Sequence, residues 1–155
     1  MNKLTFNRLA YANPPLWKIA YTNPVNASIF TVNEVLGIFR NGNLSAGNIV
    51  SAQRTSDLDF DLNKYRYLNV SIITSALDVV ARIVIWTQPS LDHAYMLLLK
   101  TYNDKDWHME IIDLSQFGIG GAGLFMIELG WIQVQDGYSS MVFYRQLSFG
   151  SLEVG

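Results

Sequence analysis

DLDFDLNKYRYLNVSIITSALDVVARIVIW, residues Asp57 to Trp86, is the stretch whose reading decides the fold. In its first arm Leu68, Val70 and Ile72 fall on one side and Tyr67, Asn69 and Ser71 on the other, the period of two that marks a strand covering a core with one face. In the second arm Ala81, Ile83, Ile85 and Thr87 share one parity, and Arg82, Val84, Trp86 and Gln88 share the other. The segment reads as strand, turn and strand. Arginine, tryptophan and glutamine do not suit a core, and a tryptophan is wasted on a merely solvated face. The polar face of the second arm is therefore the first place to look for function.

Outward from this unit the pattern stays β. Leu4 to Tyr11 and Leu16 to Tyr21 read as short strands broken at Asn13-Pro14-Pro15, because proline cannot donate to a ladder. Trp17 lies on the apolar parity of the second. Ile29 to Phe39 holds one or two strands, Asn41-Gly42-Asn43 carries the chemistry of a tight hairpin turn, and Ile49 to Arg54 is a further strand. Beyond Trp86 come Ala94 to Tyr102, Trp107 to Leu114, Leu124 to Val134 and Tyr138 to Phe149, the last two joined by the hairpin signal Gln135-Asp136-Gly137. In Trp107 to Leu114 the alternation sets Trp107, Met109 and Ile111 against His108 and Glu110, which reads as a polar outer face. About nine strands at spacings near 8–12 residues predict an all-β fold, a two-sheet antiparallel β-sandwich. Nothing of helical length repeats at 3.6 residues. No Pro/Ser/Gly linker or repeat divides residues 1–155, so one domain is expected.

Composition narrows the function classes. The chain has 155 residues, 50% of them hydrophobic, enough for a sizeable core. Its formal net charge is −2 with no basic run, so it lacks the electrostatic footprint of a nucleic-acid binder. There is no cysteine, which removes disulfides, zinc thiolates and thiol nucleophiles. Asn7 and Arg8 interrupt the apolar run a signal peptide needs, and no run approaches the ~18 apolar residues of a membrane helix.

Three motifs carry less than their patterns suggest. Gly118-Ile119-Gly120-Gly121-Ala122-Gly123 matches G-x-G-x-x-G, yet LFMIELGW follows it as a strand and no acidic residue stands about 20 positions on, so nucleotide binding is not expected. Asp57-x-Asp59-x-Asp61 opens like a calcium loop. Leu62 and Leu68 then occupy the positions that an EF-hand gives to glycine and to a bidentate glutamate. His108 and Glu110 supply two ligands without a third, so no metal site is expected. Paired carboxylates such as Glu110 and Glu128 have the chemistry of an acid and base across neighbouring strands, but nothing in the sequence puts either in a desolvated pocket, and no catalytic residue is assigned.

The aromatic residues say more. There are four tryptophans, eight tyrosines and eight phenylalanines, and Trp86, Tyr67, Tyr102 and Tyr144 fall on the polar parity of their strands beside Arg82, Asn69, Lys100 and Gln146. A flat ring next to planar hydrogen-bonding groups is what a sugar requires, since its C–H face stacks while its hydroxyls need donors and acceptors.

The succession DLDFDLNKYRYLNVSII, ARIVIW, WHMEIIDLS, LFMIELGW and VFYRQLSFG, spanning Asp57 to Phe149, resembles in order and spacing the jelly-roll carbohydrate-binding modules of the galactose-binding-like superfamily. The resemblance implies a two-sheet jelly roll, no catalysis, and polysaccharide binding on a concave face or at the loops of one edge. It also implies a structural calcium ion. Arg145 stands in the last strand where the family often has an aspartate ligand, and a cation cannot replace that ligand, so this calcium is not carried over with the rest. A salt bridge from Arg145 to an N-terminal acid such as Glu34 is one substitute.

Two functions follow. The first is a non-catalytic module, secreted or at the cell surface, that holds an attached glycoside hydrolase on a β-glucan or xylan type of polysaccharide. In it Trp86 stacks on a sugar ring, Arg82 and Gln88 bond hydroxyls, and Tyr67, Asn69 and Tyr102 on neighbouring strands extend the cleft. The alternative is a virion or cell-surface structural jelly roll that assembles as an oligomer.

Overall fold

A computed structural model describes residues 2–8, 18–22, 27–32, 35–55, 61–62, 64–74, 78–102, 104–119 and 123–154. Two antiparallel sheets pack face to face. One has the order β3 (Ala27–Val32), β4 (Val35–Leu44), β11 (Gly137–Val154), β6 (Tyr67–Thr74) and β9 (His108–Asp113), with β1 (Asn2–Arg8) also paired to β11. The other has the order β2 (Lys18–Thr22), β5 (Ile49–Thr55), β10 (Met126–Gln133), β7 (Val79–Trp86) and β8 (Ala94–Leu98). They are called the β11 sheet and the β10 sheet below.

The alternation in the sequence supplies the core. Leu36 and Ile38 of β4, Leu68, Val70 and Ile72 of β6, and Val142, Tyr144, Leu147 and Phe149 of β11 point inward from one sheet. Val50 and Ala52 of β5, Ala81, Ile83 and Ile85 of β7, and Ile127, Leu129 and Trp131 of β10 meet them from the other. Two hydrogen bonds cross this apolar layer in opposite directions. The Trp131 indole N–H donates to the Ile38 carbonyl at 3.0 Å, and the Tyr144 hydroxyl donates to the Gly130 carbonyl.

Four expectations are corrected by this topology. The stretch Asp57 to Trp86 holds two strands, but β6 and β7 belong to different sheets. The chain crosses from one layer to the other between them, so the polar faces of the two arms look out from opposite sides of the molecule. Asn41-Gly42-Asn43 is not a turn: β4 runs through it to Leu44, and Gly42, at φ +107°, sits beside the bulge at Ser139, whose Oγ accepts its N–H at 3.3 Å. Positive φ serves a bulge as well as a turn. In β11 a second bulge at Gln146, at φ +59°, shifts the register between Arg145 and Ser148. The extra residue reverses the parity, so Tyr144 and Leu147 both face inward and Tyr144 is fully buried rather than on a polar face.

The fourth correction concerns β9, whose faces are the reverse of those expected. Register pairs His108 with Ile72 and Glu110 with Val70, on the side of β6 that faces the core, while Met109 and Ile111 are 60% and 49% exposed on the outside. β9 is an edge strand. Its inward side overhangs the open edge of the sandwich, where polar groups stay partly hydrated.

Candidate functional site

The outer face of the β10 sheet is built from the alternate residues that the core does not use. Register sets Gln53, Glu128, Val84 and Met96 in one row across β5, β10, β7 and β8. The next row holds Ser51, Gly130, Arg82 and Leu98, and the row on the other side holds Met126, Trp86 and Ala94. Among the described residues no further layer of strands packs on this face, yet Ser51, Val84 and Glu128 are buried. The face is not a plain solvated surface.

Arg82 is its electrostatic centre. The guanidinium Nη1 stands 3.5 Å from Oε2 of Glu128, Ser51 Oγ lies 3.5 Å from the same oxygen, and Arg82 Nε donates to Met96 Sδ at 3.3 Å. The side chains of Arg82 and Glu128 keep only 17% and 11% exposure, so the pair interacts in a medium less polar than water while one side remains open. Between Ser51 and Arg82, Gly130 is packed closely by the backbone of β5. A Cβ there would lie 2.1 Å from the Val50 carbonyl oxygen, so the position admits no side chain. Trp86, half-buried, ends the face; its indole nitrogen is buried without a hydrogen-bond partner among the described residues. What Trp86 offers to a ligand is its ring.

Of the six residues singled out in the sequence, Arg82 and Trp86 share this face. Gln88 is exposed in the connection after β7, where its carbonyl accepts from Ser90 N–H at 2.9 Å. Tyr67 and Asn69 are on the outer face of the β11 sheet, so they do not extend a cleft that contains Trp86. There the Tyr67 hydroxyl accepts from Arg66 Nη2 at 2.7 Å, and Arg66 also stands 3.5 Å from Asp113.

Tyr102 lies at the open edge between the sheets. Its ring stacks on His108 with centroids 3.5 Å apart and planes 4° from parallel, and its hydroxyl donates to Glu110 at 2.5 Å. That bond holds the phenol above its ordinary pKa. Asp104, bonded by His108 Nε2 at 2.7 Å, is held below the usual carboxylate range by that hydrogen bond. Ring face and hydroxyl of Tyr102 are thus engaged in closing the edge. It is not part of the Arg82 face.

Glu128, Ser51 and Gln53 are on the face but outside the sequence-derived set. The alternation of LFMIELGW did set Glu128 opposite Ile127 and Leu129; what the pattern lacks is which strands flank β10. Glu110 and Glu128 are in different sheets, so they do not form an acid and base pair across neighbouring strands. Among the described residues no three His, Asp or Glu side chains group as metal ligands. Asp57, Asp59 and Glu34 lie outside the described residues, as does Trp17, and Asp61 is exposed. Arg145, at the position that the resemblance matches to a calcium ligand, is a cation stacked on the Trp107 ring, its Cζ 4.0 Å from the centroid. The calcium does not fit at that position. Gly118 caps a short 3-10 turn, Leu114–Phe117, at φ +74°, and a strand follows from Met126, not the helix of a dinucleotide site.

No family model matches the sequence, and no curated protein matches it. Solved structures do match. A family 11 carbohydrate-binding module from Clostridium thermocellum, solved with a β-1,3-1,4-mixed-linked tetrasaccharide, superposes with a TM-score of 0.62 at 10% identity over 96% of this chain and 94% of its own. A module specific for non-crystalline cellulose, of family 28, gives 0.55 at 12% identity over 88% of this chain and 87% of its own. An agarase gives 0.56 at 10% identity over 97% of this chain but only 24% of its own. The fold of this chain is that of the jelly-roll carbohydrate-binding modules, which is the architecture the stretch from Asp57 to Phe149 resembles.

Proposed function

We propose that the chain is a non-catalytic polysaccharide-binding module whose recognition surface is the outer face of the β10 sheet. The observation that carries this reading is the Arg82–Glu128 pair on the same outer sheet face as the Trp86 ring, on adjoining central strands. A guanidinium and a carboxylate together satisfy both donor and acceptor hydroxyls, and the ring takes the apolar face of a pyranose. Five strands at about 4.8 Å span roughly 19 Å, a length suited to an oligosaccharide segment rather than a single sugar. The likeness to modules solved with or specific for β-glucans supports a β-glucan or xylan type of ligand. In this reading the module acts outside the cell, holding an attached glycoside hydrolase at high effective concentration on its substrate without doing chemistry itself.

Affinity electrophoresis and calorimetry against mixed-linkage β-glucan, cellulose, xylan, mannan and galactan test the reading. Binding to at least one polymer is expected, with loss of about tenfold or more in Trp86→Ala and Arg82→Ala proteins. Tyr67→Ala and Asn69→Ala proteins, altered on the opposite face, should bind as the parent does. Absence of binding to every polymer sinks the function, and full binding by both Trp86→Ala and Arg82→Ala sinks the site.

The alternative, an assembling surface or virion jelly roll, draws on the exposed Met109 and Ile111 of the β11 sheet. Sedimentation decides: a ring or trimer favours assembly, a monomer the module.

A further inference from the structure

Arg82 is held from two sides. Register makes Glu128 of β10 and Met96 of β8 the diagonal neighbours of Arg82, both one row away through Val84. The guanidinium contacts each: Nη1 stands 3.5 Å from Glu128 Oε2, and Nε donates to Met96 Sδ at 3.3 Å. A thioether is a weak acceptor, so in this state the arginine is restrained toward β8 only loosely. Met96 is also 54% exposed, which leaves its sulfur open to oxidants in solution.

We infer that Met96 is a peroxide-sensitive modification site that governs Arg82 on the proposed glycan face. The reaction is an oxygen transfer. The sulfur lone pair attacks one oxygen of hydrogen peroxide, the O–O bond breaks, the new S–O bond forms, and the other oxygen leaves as water; sulfur loses two electrons and peroxide gains them. The product exchanges a weak sulfur acceptor for a strongly polar oxygen next to Arg82 Nε. The sulfoxide oxygen then competes with Glu128 and with sugar hydroxyls for the guanidinium and draws it toward the edge strand. Arg82 is removed from the ligand without any change in backbone. Methionine sulfoxide reductases supplied with a dithiol reverse the oxidation, the sulfoxide oxygen leaving as water while the dithiol is oxidised to a disulfide, so the effect is a switch rather than damage.

The molecule contains its own control. Met109 is 60% exposed, comparable to Met96, but lies on the outer face of the opposite sheet. Oxidation at Met109 reports general damage, and oxidation at Met96 reports the switch.

The inference rests on the Arg82 face being the glycan site, so its test has one readout that needs a glycan and one that does not. Protein treated with hydrogen peroxide, with the extent of oxidation at each methionine followed by peptide mass spectrometry, is compared with untreated protein. The first readout is the ratio of glycan affinities before and after treatment. A fall of about tenfold is expected for the parent and for a Met109→Leu protein, no fall for Met96→Leu, and recovery on incubation with the reductases and a dithiol. The second is the Arg82 Nε–H resonance in a nitrogen-correlated NMR spectrum, which should shift on oxidation of Met96 and not in Met96→Leu. Equal loss of affinity in Met96→Leu and parent overturns the inference, as does an unmoved Arg82 resonance in fully oxidised protein. A shifted resonance with no glycan binding before treatment retains the Arg82–Met96 coupling and removes the glycan face.

Discussion

The Tyr144 hydroxyl crosses the core from the β11 sheet and donates to the carbonyl of Gly130, the residue that separates Ser51 from Arg82 on the far side of the β10 sheet. Burial pushes this phenol above the ordinary tyrosine range, so it remains a donor throughout the physiological pH range. The bond fixes the floor of the proposed glycan face from beneath. A Tyr144→Phe protein keeps the ring but leaves a buried carbonyl without its donor, at a cost of about 1–3 kcal/mol. Urea unfolding measures it. A change below 0.5 kcal/mol, within the ordinary scatter of surface substitutions, would mean that the carbonyl is satisfied some other way.

Gly130 itself gives a sharper prediction. Its position excludes even a methyl group, because a Cβ would lie 2.1 Å from Val50 O and 2.6 Å from Ser51 Cα, both backbone atoms that cannot rotate away. Gly130→Ala should cost about 3 kcal/mol or more by forcing β5 and β10 apart. The control is Gly47→Ala, at a turn with φ +92° and open space around it, where only backbone strain of about 1 kcal/mol is expected. Melting temperatures that rank Gly47→Ala below Gly130→Ala would contradict the close approach.

How far the sequence could be read follows from what alternation encodes. Period-two patterns told which residues of β6, β7 and β10 face a core, and Leu68, Val70, Ile83, Ile85 and Leu129 are all buried. They say nothing about which sheet a strand joins, because β6 and β7 alternate alike; hence Tyr67 and Asn69 were grouped with a face on the other side of the molecule. A bulge erases parity locally, and nothing in VFYRQLSFG marks Gln146 as the extra residue. His108 and Glu110 misled for a different reason. Polar residues on an edge strand can face inward over an open margin, and a sequence does not reveal that a strand is at an edge. That Arg82 and Trp86 share one outward face is legible because they fall on one parity within a single strand, which no bulge interrupts.

The edge cluster makes stability depend on acid. Asp104 is held below the ordinary carboxylate range mainly by its hydrogen bond from His108 Nε2. A depressed carboxyl pKa contributes stability that is present above the unfolded value, about 3.9, and is lost as pH falls through the lower folded value. Asp104→Asn should therefore melt below the parent at pH 6, and the gap should close as pH is lowered toward 2. A gap that stays constant across that range would show that Asp104 acts through packing and not through its charge.

Tyr102 supplies the complementary limb. Its phenol is raised first by the hydrogen bond to Glu110, then by desolvation and by the charges of Glu110 and Asp104. A raised pKa contributes stability below the unfolded tyrosine value, about 10, which is lost as pH climbs through the folded one. Tyr102→Phe, which keeps the ring stacked on His108 and removes the titrating hydroxyl, should be less stable than the parent at pH 8 and approach it above pH 10. The absorbance of tyrosinate at alkaline pH, followed in parent and variant, assigns the transition to this residue.

The ion pair on the proposed glycan face separates stability from binding. With 17% and 11% side-chain exposure, Arg82 and Glu128 are desolvated enough that removing one leaves the other uncompensated. Glu128→Gln and Arg82→Gln should each lose about 1–2 kcal/mol of stability, while the double variant should lose less than the sum, since neither bare charge then remains. Affinity should behave differently: each single variant loses a distinct hydrogen-bonding partner for the ligand, and the double variant binds no better than the weaker single. Denaturant unfolding and calorimetry on the same four proteins read both quantities. Additive stability losses would show that the two side chains are not coupled, and glycan affinity rising again in the double variant would show that the pair supports the fold and takes no direct part in recognition.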